Sequence, residues 1–129
     1  MKRLSLALFL IFLLSLTTYA QENQLSVTQM DFCTAVEERE PVGTDTVFSA
    51  DVEQVFCFTK ITGPGDTTTV SHIWYHGDKE MAKQDLAVKS KSWRTWSSKR
   101  IIPEWTGAWR VDVVNETGDL LLSKSFMVK

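Results

Sequence analysis

The stretch AWRVDVV (residues 108–114) places Trp109, Val111 and Val113 on one parity and Arg110 and Asp112 on the other. Alternation with a period of two is what a half-buried β-strand requires, because successive side chains leave opposite faces of a sheet. The same texture recurs through the chain. VEQVFCFTKI (52–61) sets Val55, Cys57, Thr59 and Ile61 on one side and Phe56 and Phe58 on the other, so both of its faces are expected to be buried. EMAKQDLAVK (80–89) aligns Ala82, Leu86 and Val88, and LLLSKSFMVK (120–129) aligns Leu122, Phe126 and Val128. Further strands are expected over DFCTAVE (31–37), TTTVSHIWYH (67–76) and the stretch SWRTWSSKR (92–100). Turn residues separate them: Pro41 and Gly43, GPGD (63–66), the pair Gly77-Asp78, the loop PEWTG (103–107), and NETGD (115–119) with Gly118 free to take positive φ. Seven strands at this spacing predict an all-β, immunoglobulin-like two-sheet sandwich, with a small β-barrel as the alternative.

The fold is not expected to begin at the first residue. Lys2 and Arg3 precede an apolar run from Leu4 to Leu16, and Thr18-Tyr19-Ala20 ends it with a small-x-small pattern. This reads as a signal peptide cleaved after Ala20. The run has 13 residues, whereas a membrane-spanning helix needs about 20. The reading predicts an exported protein, periplasmic or extracellular, with one domain over residues 21–129. In an oxidising compartment the two cysteines, Cys33 and Cys57, are expected to form one disulfide, which in the chain-entropy model contributes about 3 kcal/mol. Two buried free thiols are the alternative. Two cysteines 24 positions apart lack the close ligand pairs of a zinc site, so no metal is expected.

Charge is unevenly distributed. Net charge is −2 overall, but residues 21–80 carry eleven acids against three bases, and residues 81–129 five acids against nine bases. From Lys89 to Arg100 there are five bases and no acid. That block contains Trp93 and Trp96, which have opposite parity and so must leave opposite faces of a regular strand. Trp96 shares its face with Arg94 and Arg100; Trp93 shares its face with Lys99. An exposed Trp96 between two arginines is a stacking and cation–π platform. The bland alternative is a ring covered by arginine methylenes with no ligand. Trp105, in the PEWTG loop, is either a second exposed aromatic or a plug for one end of the sandwich. Trp74 and Trp109 are expected in the core.

Catalytic signatures are missing. There is no G-x-S-x-G nucleophile elbow and no glycine-rich phosphate loop followed by a helix. His72 and His76 fall on one face of a strand about 13 Å apart, too far to share a metal ion. No enzyme, and no cofactor, is expected.

CTAVEEREPVG, VFCFTKITG, HIWYHGDKE, SWRTWSSKRIIPEWTGAWRVDVV and SKSFMV together resemble a bacterial family known as domain of unknown function 2914, from about Cys33 to the end of the chain. The resemblance implies a compact β-domain often beside a membrane segment or signal sequence, and it brings no catalytic residues. The function expected is a non-catalytic binding module using Trp93, Arg94, Trp96, Lys99, Arg100 and Trp105. Acidic glycans, anionic lipid head groups or an envelope protein suit such a surface, and nucleic acid does not suit an exported chain of net negative charge. The alternative is a structural module of the cell envelope that docks by a sheet edge.

Overall fold

The structure is a computed structural model and describes residues 25–129. The signal peptide expected over residues 1–20 lies outside the described residues. The described chain forms ten strands: β1 (Ser26–Cys33), β2 (Ala35–Glu37), β3 (Glu40–Val42), β4 (Val47–Phe48), β5 (Gln54–Thr62), β6 (Thr68–His76), β7 (Lys79–Val88), β8 (Ser92–Arg100), β9 (Gly107–Asn115) and β10 (Leu120–Val128). Seven are long, as the alternation predicts; β2, β3 and β4 are short additions.

The long strands make two facing sheets, one in the order β1-β5-β8 and the other β4-β10-β9-β6-β7. Neither closes on itself, so the barrel alternative falls and the architecture is a β-sandwich. All long-strand pairings are antiparallel, while β4 crosses from the small sheet's side to run parallel to β10 at Met127 and Val128. Two long polar side chains bridge the sheets along the open sides. Lys124 Nζ donates to Met30 O at 2.8 Å and Gln84 Nε2 donates to Ser98 O at 2.6 Å.

The core is built from the faces that alternation selects. Val55, Cys57, Ile61, Val88, Trp109, Val111, Val113, Phe126 and Val128 all point inward and are buried. Trp74 lies among them on β6, edge-on to Phe126 at 6.1 Å. Phe58, on the opposite face of β5, is also buried, as expected for a strand covered on both sides.

Three expectations need correction. The strand expected over 31–37 is interrupted at Thr34: β1 ends at Cys33, and β2 and β3 form a separate hairpin around the two-residue turn Glu38-Arg39. Leu122 keeps the face of Phe126 and Val128, opposite Val113, yet it is exposed rather than buried, and Leu121 packs against the core. The β10 bulge lies between Leu120 and Leu122 and leaves the parity of Leu122 with Phe126 unchanged. The third correction concerns the cysteines, which are free. Register explains this: Cys33 lies opposite Phe56 while Cys57 lies opposite Phe32, so the two thiols leave opposite faces of the same sheet. Cys57 is buried in the core cluster between the sheets, away from the face that carries Cys33.

Candidate functional site

Strand β8 pairs with β5 without a bulge from Ser92 opposite Thr62 to Arg100 opposite Gln54. The parity argument therefore holds along its whole length. Trp93 lies opposite the buried Ile61 and packs against the core. Trp96 lies opposite Phe58 on the outer face, with the rings stacked at 6.2 Å and 15°. That stacking half-buries Trp96, which is therefore not the fully exposed platform its sequence context suggests.

The six residues singled out from sequence do not form one surface. Arg94 and Trp93 stand at one end of β8. Lys99 and Arg100 stand at the other, about 20 Å away at ~3.3 Å per residue. At the far end Lys99 Nζ sits 4.9 Å from the centroid of the Trp105 ring. Trp105 is partly buried against Trp109, with ring centroids 6.2 Å apart, and its carbonyl accepts a hydrogen bond from Trp109 Nε1 at 2.9 Å. Trp105 therefore plugs that end of the sandwich. Arg100 is exposed beside an open depression lined by Asp51, Glu53 and Pro103, whose two acids make it a poor anion site.

The near end is different. Arg39, Lys60, Ser92 and Arg94 line a small cleft of about 300 Å³. The register sets Lys60 directly opposite Arg94 on the outer face of the small sheet. Two like charges in that relation destabilise a strand pair. The β2–β3 hairpin adds a third cation, Arg39, whose guanidinium carbon lies 5.4 Å from the Trp93 ring centroid. One carboxylate answers them: Glu40 Oε1 sits 2.9 Å from Arg94 Nη1, and the same nitrogen donates to Arg39 O at 3.4 Å. Among the described residues Arg39 and Lys60 have no carboxylate at salt-bridge distance. Sequence reasoning found Arg94 but missed Arg39 and Lys60. They lie far upstream, and only the β5–β8 register and the folded-over hairpin bring them in.

A second polar cluster lies between the sheets. His72 Nδ1 is 2.6 Å from Ser97 Oγ, and Trp74 Nε1 donates to the same oxygen at 3.1 Å. His72 Nε2 is 3.2 Å from Thr59 Oγ1, whose hydroxyl donates to Thr95 O at 2.9 Å. One proton arrangement satisfies every group. Trp74 donates to Ser97, Ser97 to His72 Nδ1, His72 Nε2–H to Thr59, and Thr59 to the Thr95 carbonyl. That arrangement requires a neutral imidazole with its proton on Nε2. Burial alone pushes the His72 pKa down to about 4. The serine–histidine contact has the spacing of a nucleophile and its base. Both residues are buried, however, and neither lines any of the clefts described above. The cluster is a fully satisfied core network. His76 is separate from it, stacked on Trp109 at 4.8 Å with its Nε2 2.8 Å from Thr106 O. Burial also raises the thiol pKa values of Cys57 and Cys33, which leaves neither poised as a thiolate.

No curated protein matches the chain. Among solved structures, a selenomethionine-labelled β-glucosidase from Kluyveromyces marxianus aligns with a TM-score of 0.47 and 11% identity, over 82% of this chain and 14% of that one. The chain thus spans only a small part of that protein's length. A family model described as "Protein of unknown function (DUF2914)" matches residues 67–128. The match is narrower than the stretch from Cys33 that the motifs suggest. It contains β6 to β10 but omits β1 and β5, the two partners that complete the sheet of β8. Over residues 67–128 the chain thus resembles the DUF2914 family.

Proposed function

We propose that the protein is an exported, non-catalytic binding module that takes an anionic group of an acidic glycan in the cleft formed by Arg39, Lys60, Ser92 and Arg94. The observation that carries the reading is the direct opposition of Lys60 and Arg94, with Arg39 brought beside them and Glu40 as the one carboxylate in reach. A sheet that places cations face to face gains stability from any anion that enters between them. The cleft is shallow, with a volume of about 300 Å³, and the Arg39 that lines it rests on the Trp93 ring. A bilayer surface would instead call for a protruding basic face flanked by apolar residues. The inaccessibility of the Ser97–His72 pair supports a role without catalysis.

A titration of the purified protein with trigalacturonate at about 20 mM and about 300 mM salt tests this. Binding at low salt that weakens at high salt is expected, since exposed charge pairs are screened over roughly a Debye length. Lys60→Gln and Arg94→Gln are expected to abolish it without lowering stability, since each removes one of two opposed like charges. No binding at low salt, or binding indifferent to both substitutions, overturns the reading. Binding instead to vesicles of anionic lipid, with none to the glycan, would move the assignment to a membrane head group.

A second reading, a cell-envelope module that docks by a sheet edge, has one observation in its favour. β4 borders β10 only at Met127 and Val128, so among the described residues the edge before them is unpaired, and Leu120 and Leu122 are exposed there. An apolar strand-to-strand contact of that kind would persist at high salt.

A further inference from the structure

Glu40 enters the cleft as a carboxylate already seated on its arginine. The hairpin that carries it is unusual in three respects. It is a two-stranded sheet of its own, paired strand to strand with neither large sheet. Its turn places two non-glycine residues in succession in the left-handed region, Glu38 at φ 51° and Arg39 at φ 63°. Such two-residue turns favour Asn-Gly, because L-residues with side chains are strained there. And while its strands pack on β1 and β5, the tip makes three contacts to β8: Glu40 to Arg94, the Arg39 carbonyl to Arg94, and the Arg39 guanidinium against Trp93. A strained conformation persists where surrounding contacts over-determine it. Here those contacts are the cleft's own cations and aromatic ring.

Resting on the binding reading above, we propose that Glu40 is a built-in stand-in for the ligand, so that the natural ligand carries a carboxylate and binds Arg94 by displacing Glu40. The guanidinium fork donates to two oxygens of a planar carboxylate, and Glu40 Oε1 at 2.9 Å from Nη1 marks where one of them sits. Displacement frees the tip of the hairpin from Arg94 and lets the Glu38-Arg39 turn relax, which offsets part of the cost of breaking the internal pair. It also opens the cleft toward Lys60, which has no carboxylate partner of its own among the described residues. The ligand class this selects is a uronate-bearing glycan rather than a neutral one.

The test compares trigalacturonate affinity for the wild type, Glu40→Gln and Arg94→Gln. Glu40→Gln keeps the size of the side chain and removes the competing charge. An exposed ion pair is worth little, so the gain expected is about two- to fivefold tighter binding. Arg94→Gln is expected to lose binding. Wild-type binding that Arg94→Gln abolishes and Glu40→Gln leaves unchanged or weaker overturns this inference while the binding reading stands. Absence of binding in both the wild type and Glu40→Gln overturns both. Glu40→Ala, which removes the carboxylate without a substitute amide, is expected to tighten binding as Glu40→Gln does, and a loss of binding there with unchanged unfolding also counts against the inference.

Discussion

Acidification should weaken this fold through His72. The imidazole lies between the sheets, fully buried, with no charged partner against it, and both ring nitrogens are committed to hydroxyls. Protonating Nδ1 would turn an acceptor into a donor. Ser97 Oγ already accepts from Trp74 Nε1, so the serine proton would lose its buried acceptor. Desolvation accordingly holds the folded pKa at about 4, against 6.5 for a free imidazole. Between those two values the unfolded chain binds a proton that the folded chain refuses. Stability from this group is therefore fully present above about pH 6.5 and is lost as pH falls toward 4. At 1.36 kcal/mol per pKa unit the loss by pH 4 is about 3 kcal/mol. That is a large part of the roughly 5–15 kcal/mol available to a domain of this kind. Urea unfolding followed by tryptophan fluorescence at half-unit steps from pH 7.5 to 4 measures it, with His72→Gln in parallel to subtract the carboxylates. The variant starts less stable at neutral pH, and its stability is expected to fall less steeply by about 3 kcal/mol across the range. Parallel curves for the two proteins, or a wild type that gains stability through this window, would refute the assignment of a neutral, fully bonded imidazole.

Trp96→Ala is expected to cost about 2 kcal/mol in urea unfolding. The ring is half-buried on Phe58, between the ~3–5 kcal/mol of a core tryptophan and the ~0.5 kcal/mol of an exposed one. A loss below 0.5 or above ~4 kcal/mol contradicts the observed stacking. Protein denatured without reductant is expected to release two titratable thiols per chain, and the native protein none, since Cys33 and Cys57 are buried and on opposite faces; no thiols in the denatured sample would show that the bond forms after all. Glu53 is exposed with φ 68°, and its carbonyl accepts from Ile101 N at 2.9 Å. Glu53→Gly should keep that bond, relieve the strain and raise stability by about 1 kcal/mol, and a lower melting temperature would argue against the left-handed conformation.

Much of the sandwich is legible in local pattern. Trp109, Val111 and Val113 against Arg110 and Asp112, or Val55, Cys57, Thr59 and Ile61 along β5, name their faces without help, because the period of two is a property of the extended backbone. The pattern names faces but not burial. Leu122 shares the face of Phe126 and Val128 and is nevertheless exposed, and no feature of LLLSK announces it. The separation of Trp93 from Trp96 is likewise a matter of parity and could be read directly.

Strand texture, turn positions, the buried tryptophans Trp74 and Trp109 and the basic aromatic stretch can all be read locally. Each depends on neighbours within a few residues. Which of those basic residues share a site follows from long-range pairing. Lys60 meets Arg94 through strand register, Arg39 and Glu40 arrive on a hairpin folded over the small sheet, and Lys99 and Trp105 are sent to the opposite end. The same holds for the free cysteines and for the Trp74–Ser97–His72–Thr59 chain. Pairing across a sheet or between sheets joins residues tens of positions apart, and local preference carries no information about which strand will lie beside which.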